Sequence, residues 1–214
     1  MRIYLCGDST AASFPERQAP FTGWGQMLPA HLPGCQVINR AMAGRSTKSF
    51  LADGRLQAIE RELQPGDLLL IQFTHNDTSD LVWRHTDAWS SFRNNLSIFV
   101  DTARTHGAIP VLLTPICRRY WSDGRLQQTH GDYPQAIRTL AQQKGVALID
   151  LYALSFAAVS EMGEEASSEL YLRAEPGQYP AYPDGYRDDT HTMRAGADLF
   201  AGLAAGELKR LGLV

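Results

Sequence analysis

Five short apolar runs, separated by stretches of helical period, constrain what this 214-residue chain can fold into more than any other feature. They fall at residues 3–6, 35–41, 68–73, 109–113 and 146–149. None alternates cleanly between apolar and polar residues, and Leu68-Leu69-Leu70-Ile71-Gln72-Phe73 is nearly continuous. Runs of this kind suit strands covered on both faces. Between them, Trp89, Phe92, Leu96, Phe99 and Ala103 recur at helical spacing, and Gly107 stands where a helix should end. Asp132 and Pro134 open a second helix, with Ala136, Ile137, Leu140 and Ala141 on one face, closing near Gly145. Leu56, Ile59 and Leu63 mark a shorter helix before Pro65, and Phe200, Leu203, Ala204, Leu208 and Leu211 mark the last, from about Arg194. The pattern predicts an α/β architecture: an open, mostly parallel sheet of about five strands between two helical layers, in one domain over residues 1–214.

Composition narrows the function. A net charge of -3, from 20 Lys and Arg against 23 Asp and Glu, argues against a surface built to grip nucleic acid or an anionic membrane. No run approaches the roughly 18 apolar residues of a membrane span. The run after Met1-Arg2 is too short for the roughly 7–15 apolar residues of a secretion signal, so a cytoplasmic location is expected of the chain as it stands. Cys6, Cys35 and Cys117 lack the paired spacing of a zinc or redox site and read as free thiols, and neither metal nor cofactor is expected. Residues 161–187 have no clean period but carry Tyr171, Tyr179, Tyr182 and Tyr186, and read as a long functional loop.

In open parallel sheets ligands sit outside the carboxyl ends of the strands. Gly7-Asp8-Ser9-Thr10 follows the first run and would place Ser9 at that edge. Asn39-Arg40-Ala41-Met42-Ala43-Gly44-Arg45-Ser46 spans the end of the second, where Gly44 lets a backbone N–H approach a ligand. Thr74-His75-Asn76-Asp77 follows the third, and Asn76 could donate to a developing oxyanion. Asp188-Asp189-Thr190-His191 precedes the final helix, with a carboxylate three residues ahead of a histidine in what reads as a turn. Each has a plain structural reading too: a cap, a turn glycine, an Asx-turn, a surface pair. Together they supply a nucleophile, a base with its orienter, and oxyanion donors, which is what acyl transfer requires.

These blocks resemble the SGNH, or GDSL-type, hydrolases across nearly the whole chain. Within them, Gly7-Asp8-Ser9-Thr10, Gly23-Trp24-Gly25-Gln26, the Asn39 to Ser46 segment and His191-Thr192 with Gly196-Ala197 look most like the rhamnogalacturonan acetylesterases. The resemblance implies a three-layer, flavodoxin-like sheet. It also implies Ser9 as nucleophile, His191 as base, Asp188 as its orienter, and the Ser9 and Gly44 N–H groups with Asn76 as oxyanion donors. Two positions depart from the family pattern: Thr74, where glycine is usual, and Thr192, where an aromatic is common. The implied substrate is a small acetylated oligosaccharide of pectic type. Trp24 and the Arg118-Arg119-Tyr120-Trp121 segment are candidate sugar contacts, since aromatic faces hold sugars and guanidinium pairs with a uronate carboxylate. Trp24 as core and the arginines as solvated surface are equally compatible with the sequence. Arg45, His75 and Tyr182 complete the candidate contacts.

Four rivals are weighed at this level, one of them a catalytically inert binding protein of SGNH type, which turnover of a generic acetyl ester would exclude. An ordinary α/β-hydrolase shares the order Ser, Asp, His, but its nucleophile elbow lies mid-chain. A nucleotide-binding module needs a glycine-rich phosphate loop that the sequence lacks. A flavodoxin-like flavin binder would also use the loop after the first strand, and flavin absorbance in purified protein would identify it.

Overall fold

In a computed structural model describing all 214 residues, the apolar runs become the strands of one sheet. The strands in chain order are β1 (Arg2–Gly7), β2 (Gln36–Asn39), β3 (Leu68–Gln72), β4 (Ile109–Leu113), β5 (Trp121–Ser122), β6 (Arg125–Leu126), β7 (Ala147–Ile149), β8 (Tyr171–Ala174) and β9 (Tyr186–Thr192). The principal helices are α1 (Trp24–His31), α2 (Thr47–Ala52), α3 (Arg55–Glu60), α4 (Arg93–Thr105), α5 (Tyr133–Lys144), α6 (Leu151–Ala166) and α7 (Arg194–Arg210). The central sheet runs β2-β1-β3-β4-β7 and every pairing in it is parallel. Pro110 is the second residue of β4 and lies opposite Leu69.

The sheet divides the core because successive side chains point to opposite faces. Ile3, Leu5, Leu68, Leu70, Val111 and Leu113 face one layer, where Trp24 and Leu28 of α1, Val159 of α6, and Phe200, Ala204 and Leu208 of α7 pack on them. Tyr4, Cys6, Leu69, Ile71 and Leu112 face the other, beneath Phe50, Ile59, Leu96, Phe99 and Leu140. Each large apolar side chain withdrawn from water contributes roughly 1.5–3 kcal/mol before the ordering entropy is counted. Apolar residues on both faces are therefore what keeps this sheet between two layers.

The strand order reverses direction at β1 and β3, and the crevice at their carboxyl ends is where such sheets bind ligands. Chain packing there is close. A Cβ on Gly25 in α1 would lie 2.3 Å from the Ala11 carbonyl oxygen, so the helix can seat against the turn after Ser9 only with glycine at that position.

The tyrosine-bearing segment departs from expectation. Residues 161–187 are not one loop: α6 continues to Ala166, and β8 and β9 form an antiparallel hairpin around the intervening residues. β9 carries mostly polar, half-exposed residues, so it shows none of the apolar continuity that marks the central strands.

Candidate active site

Ser9 sits in the turn leaving β1, with Ala11 N–H and Ala12 N–H donating to the Asp8 and Ser9 carbonyls. Beneath it, Asp8 is completely buried. Its carboxylate accepts from the Thr10 N–H at 2.9 Å, and Thr10 Oγ1 and His75 Nδ1 lie 2.7 and 3.2 Å from it. Burial alone would raise Asp8, but its contact with His75 and the Thr10 hydrogen bonds outweigh it and hold the carboxyl below its ordinary value. Burial in turn lowers His75 despite the neighbouring carboxylate, which favours a neutral ring donating from Nδ1. Its Nε2 is buried without a partner.

His191 reaches Ser9 from β9. Its Nε2 is 2.8 Å from Ser9 Oγ, and its Nδ1 is 2.7 Å from Asp188 Oδ2. Residues three apart on a regular strand point to opposite faces, so this contact needs an irregular one. The β8–β9 register supplies it. Tyr171 pairs with Thr192 and Arg173 with Arg187, so the short step along β8 faces a longer one along β9, and the surplus lies at residues 188–191. The bulge turns Asp188 back on itself: Oδ1 also accepts from the Thr190 and His191 N–H groups, at 2.6 and 3.0 Å. Burial would raise this carboxyl, but the His191 contact and the two N–H donors hold it down at about 2. The expected turn is thus a bulged strand, with the same pair of residues in contact.

Two further groups hold His191 in place, and neither is apparent from the sequence. Phe21 packs edge-on against the imidazole with ring centres 4.6 Å apart, and Phe14 stacks on Phe21. Thr192, at a position where the family pattern has an aromatic, is buried and ties β9 to the Phe21 loop through Thr22: its Oγ1 donates to the Thr22 carbonyl at 2.6 Å.

The oxyanion candidates lie in the turns after β1, β2 and β3. Gly44 has φ +76°, a backbone conformation that costs an L residue about 1–2 kcal/mol, and a Cβ there would point into open space. Neither the Ser9 nor the Gly44 N–H is taken by a loop carbonyl. Asn76 donates from Nδ2 to the Arg45 carbonyl at 3.1 Å and accepts at Oδ1 from Arg84 at 3.0 Å. Thr74, where the family pattern has glycine, holds φ +156°, and its buried hydroxyl has no partner. Asp77 anchors the segment from beneath, accepting from the Thr47 N–H at the start of α2 and from Thr86 Oγ1.

The candidate sugar contacts separate. Trp24 is not one: it is wholly buried, and its indole donates to Gln72 Oε1 at 2.9 Å, bracing the floor behind Ser9. Arg119 is not one either. Its backbone N–H and its guanidinium both go to Asp189, and Nε donates to Ser167, on a side chain 12% exposed. The molecule's largest cavity, about 800 Å³, lies on that side; Arg119, Arg173 and Arg187 line it, but Ser9 and His191 do not. Arg45 turns its guanidinium to Asp53 and gives the site its carbonyl instead. Arg118 lies within the electrostatic reach of Asp8 and Asp188, and its Nε is buried without a partner. Tyr182 stacks on Tyr186. No group of three or more His, Cys, Asp or Glu side chains is arranged to hold a metal ion, and no helix is long and apolar enough to cross a membrane.

The GDSL-like lipase/acylhydrolase family model matches residues 5–199, a span that contains every block above. The chain belongs to this family. It is a carboxylic ester hydrolase with the three-layer α/β fold of its relatives. It is 41% identical to the rhamnogalacturonan acetylesterase RhgT of Bacillus subtilis, over 100% of this chain and 91% of that protein. It is 26% identical to the rhamnogalacturonan acetylesterase of Emericella nidulans, over 93% of this chain and 81% of that one. Among solved structures, protein YxiM of B. subtilis superposes with a TM-score of 0.83 at 33% identity, covering 98% of this chain and 56% of that one. An acetylxylan esterase from Geobacillus stearothermophilus superposes at 0.67 and 17% identity, covering 97% of this chain and 93% of that one, a likeness of fold alone.

Proposed function

We propose that the enzyme removes acetyl groups from rhamnogalacturonan-derived oligosaccharides through an acetyl-enzyme on Ser9. The observation carrying the mechanism is the continuous contact from Ser9 Oγ through His191 to Asp188, at 2.8 and 2.7 Å. Neutral His191 takes the Ser9 proton at Nε2 as Oγ attacks the acetyl carbonyl carbon. The Ser9 and Gly44 N–H groups and Asn76 Nδ2 receive the negative charge that develops on the carbonyl oxygen. His191 then returns the proton to the departing sugar oxygen, leaving acetyl-Ser9. Water repeats the sequence, and acetate is released. Asp188 keeps the Nδ1–H tautomer and offsets the charge on the imidazolium. The substrate class rests on the full-length similarity to RhgT.

On the sugar side, Arg118 is the one arginine of the candidate set with no carboxylate partner. It is the proposed partner of a galacturonate carboxylate. Replacing it with alanine should raise KM for acetylated galacturonate-containing oligosaccharides about 10-fold, the effect of losing roughly 1.5 kcal/mol of charge-assisted hydrogen bonding. Turnover of a neutral aryl acetate should not change. Acetate release from both substrates, measured across concentration, tests this. An equal loss on both, or a preference of the unaltered enzyme for acetylated xylo-oligosaccharides, contradicts it.

A further inference from the structure

We propose that Arg84 is a positioning residue for Asn76: it sets the direction of the amide and adds a positive charge behind the oxyanion donor. The inference rests on Asn76 being such a donor. Arg84 belongs to none of the sequence blocks that carry the chemistry, and comes from the loop that leaves the sheet after β3.

Guanidinium only donates hydrogen bonds, and a backbone carbonyl only accepts them. Arg84 Nη1 lies 3.0 Å from one end of the Asn76 amide, and the Arg45 carbonyl lies 3.1 Å from the other. Only one orientation satisfies both: Oδ1 toward Arg84 and Nδ2 toward Arg45. The Arg45 carbonyl uses one of the two Nδ2 hydrogens, and the second is left for the substrate. Without Arg84 only the Arg45 carbonyl would oppose rotation of the amide, and a flipped Asn76 would present an acceptor to an oxyanion.

Electrostatics point the same way. The contact to Asn76 is the only side-chain hydrogen bond Arg84 makes, its Nε is buried without a partner, and it forms no ion pair. Two other arginines at this edge are neutralised, Arg45 by Asp53 and Arg119 by Asp189. An unneutralised cation bonded to the amide oxygen polarises the amide and makes its N–H a stronger donor. The loop holds the guanidinium in place. Thr86 N–H donates to the Asp77 carbonyl, Arg84 N–H to that of Leu81, and Lys48 Nζ reaches the Val82 carbonyl at 2.6 Å. On the outer side the guanidinium carbon lies 5.3 Å from the ring centre of Trp83, which is 51% exposed.

The test is a double-mutant cycle on an aryl acetate and on an acetylated oligosaccharide, using Asn76→Ala, Arg84→Ala, both together, and Arg84→Lys, with folding checked by thermal melting. Asn76→Ala should lower kcat about 10²- to 10³-fold. Arg84→Ala should lower it about 10-fold or more with KM unchanged, because the donor acts only in the transition state. The double variant should be no slower than Asn76→Ala alone, since the arginine acts through the asparagine. Arg84→Lys, which keeps the charge and one donor, should recover part of the loss and serves as the folded comparison if the alanine variant melts early. An Arg84→Ala loss that persists in full on the Asn76→Ala background, an effect on KM alone, or no effect beside a damaged Asn76→Ala each overturns the inference and leaves Asn76 as donor. A silent Asn76→Ala removes both.

Discussion

Replacing Ser9 with alanine is expected to lower kcat by at least about 10⁴-fold without loss of the fold. Ser9 is a small side chain at the sheet edge rather than in either apolar cluster, so its removal takes away the reacting oxygen and little packing. His191→Ala should be comparably damaging, because an unassisted serine hydroxyl keeps its proton. The two residues share one proton across 2.8 Å, so the double variant should be scarcely slower than either single one. Steady-state release of acetate from all three variants checks this. Additive losses would mean that the two side chains act independently.

Asp188→Asn is expected to lower kcat about 10³- to 10⁴-fold, more than loss of a hydrogen bond alone. The asparagine could still accept the Thr190 and His191 N–H groups at Oδ1, so the bulge should persist. Its Nδ2 would then face His191 Nδ1 as a donor and stabilise the wrong tautomer. Asp189→Asn should retain nearly full activity, because Asp189 serves Arg119 and Arg173 behind the strand. With Asp188 held at about 2 it is ionised throughout the working range, so its own proton should not shape the acid side of the kcat/KM profile. The depressed value also fixes the sign for stability: Asp188 stabilises the fold above its unfolded value near 4, and that contribution fades as the pH falls through about 2. An acid limb of kcat/KM that carries the Asp188 proton, or an Asp189→Asn variant slower than Asp188→Asn, contradicts the assignment.

The central strands were legible because burial on both faces leaves near-continuous apolar runs, and the Ser9, His191 and Asp188 blocks because each follows or precedes such an element. The β8–β9 hairpin was not, since its half-exposed polar residues carry no period and its bulge breaks the alternation. Arg118 and Arg119 show a second limit. One has no carboxylate partner and a buried Nε, while the other is fixed to Asp189. Nothing in the residue types says which. Trp24 is a third case: an aromatic after a strand suits a sugar face or a core equally, and only the closeness of α1 to the Ser9 turn makes it core. Phe21 and Arg84 come from loops without pattern, and their contacts to His191 and Asn76 exist only in three dimensions.

The nucleophile is tested most directly by covalent capture with an organophosphate, followed by intact mass and peptide mapping. The expected result is one phosphoryl group per chain, on Ser9, with acetate release lost in proportion to labelling and labelling itself slowed sharply in His191→Ala. An adduct on any other residue, or a fully labelled Ser9 in an enzyme that still releases acetate, contradicts the acetyl-enzyme on Ser9.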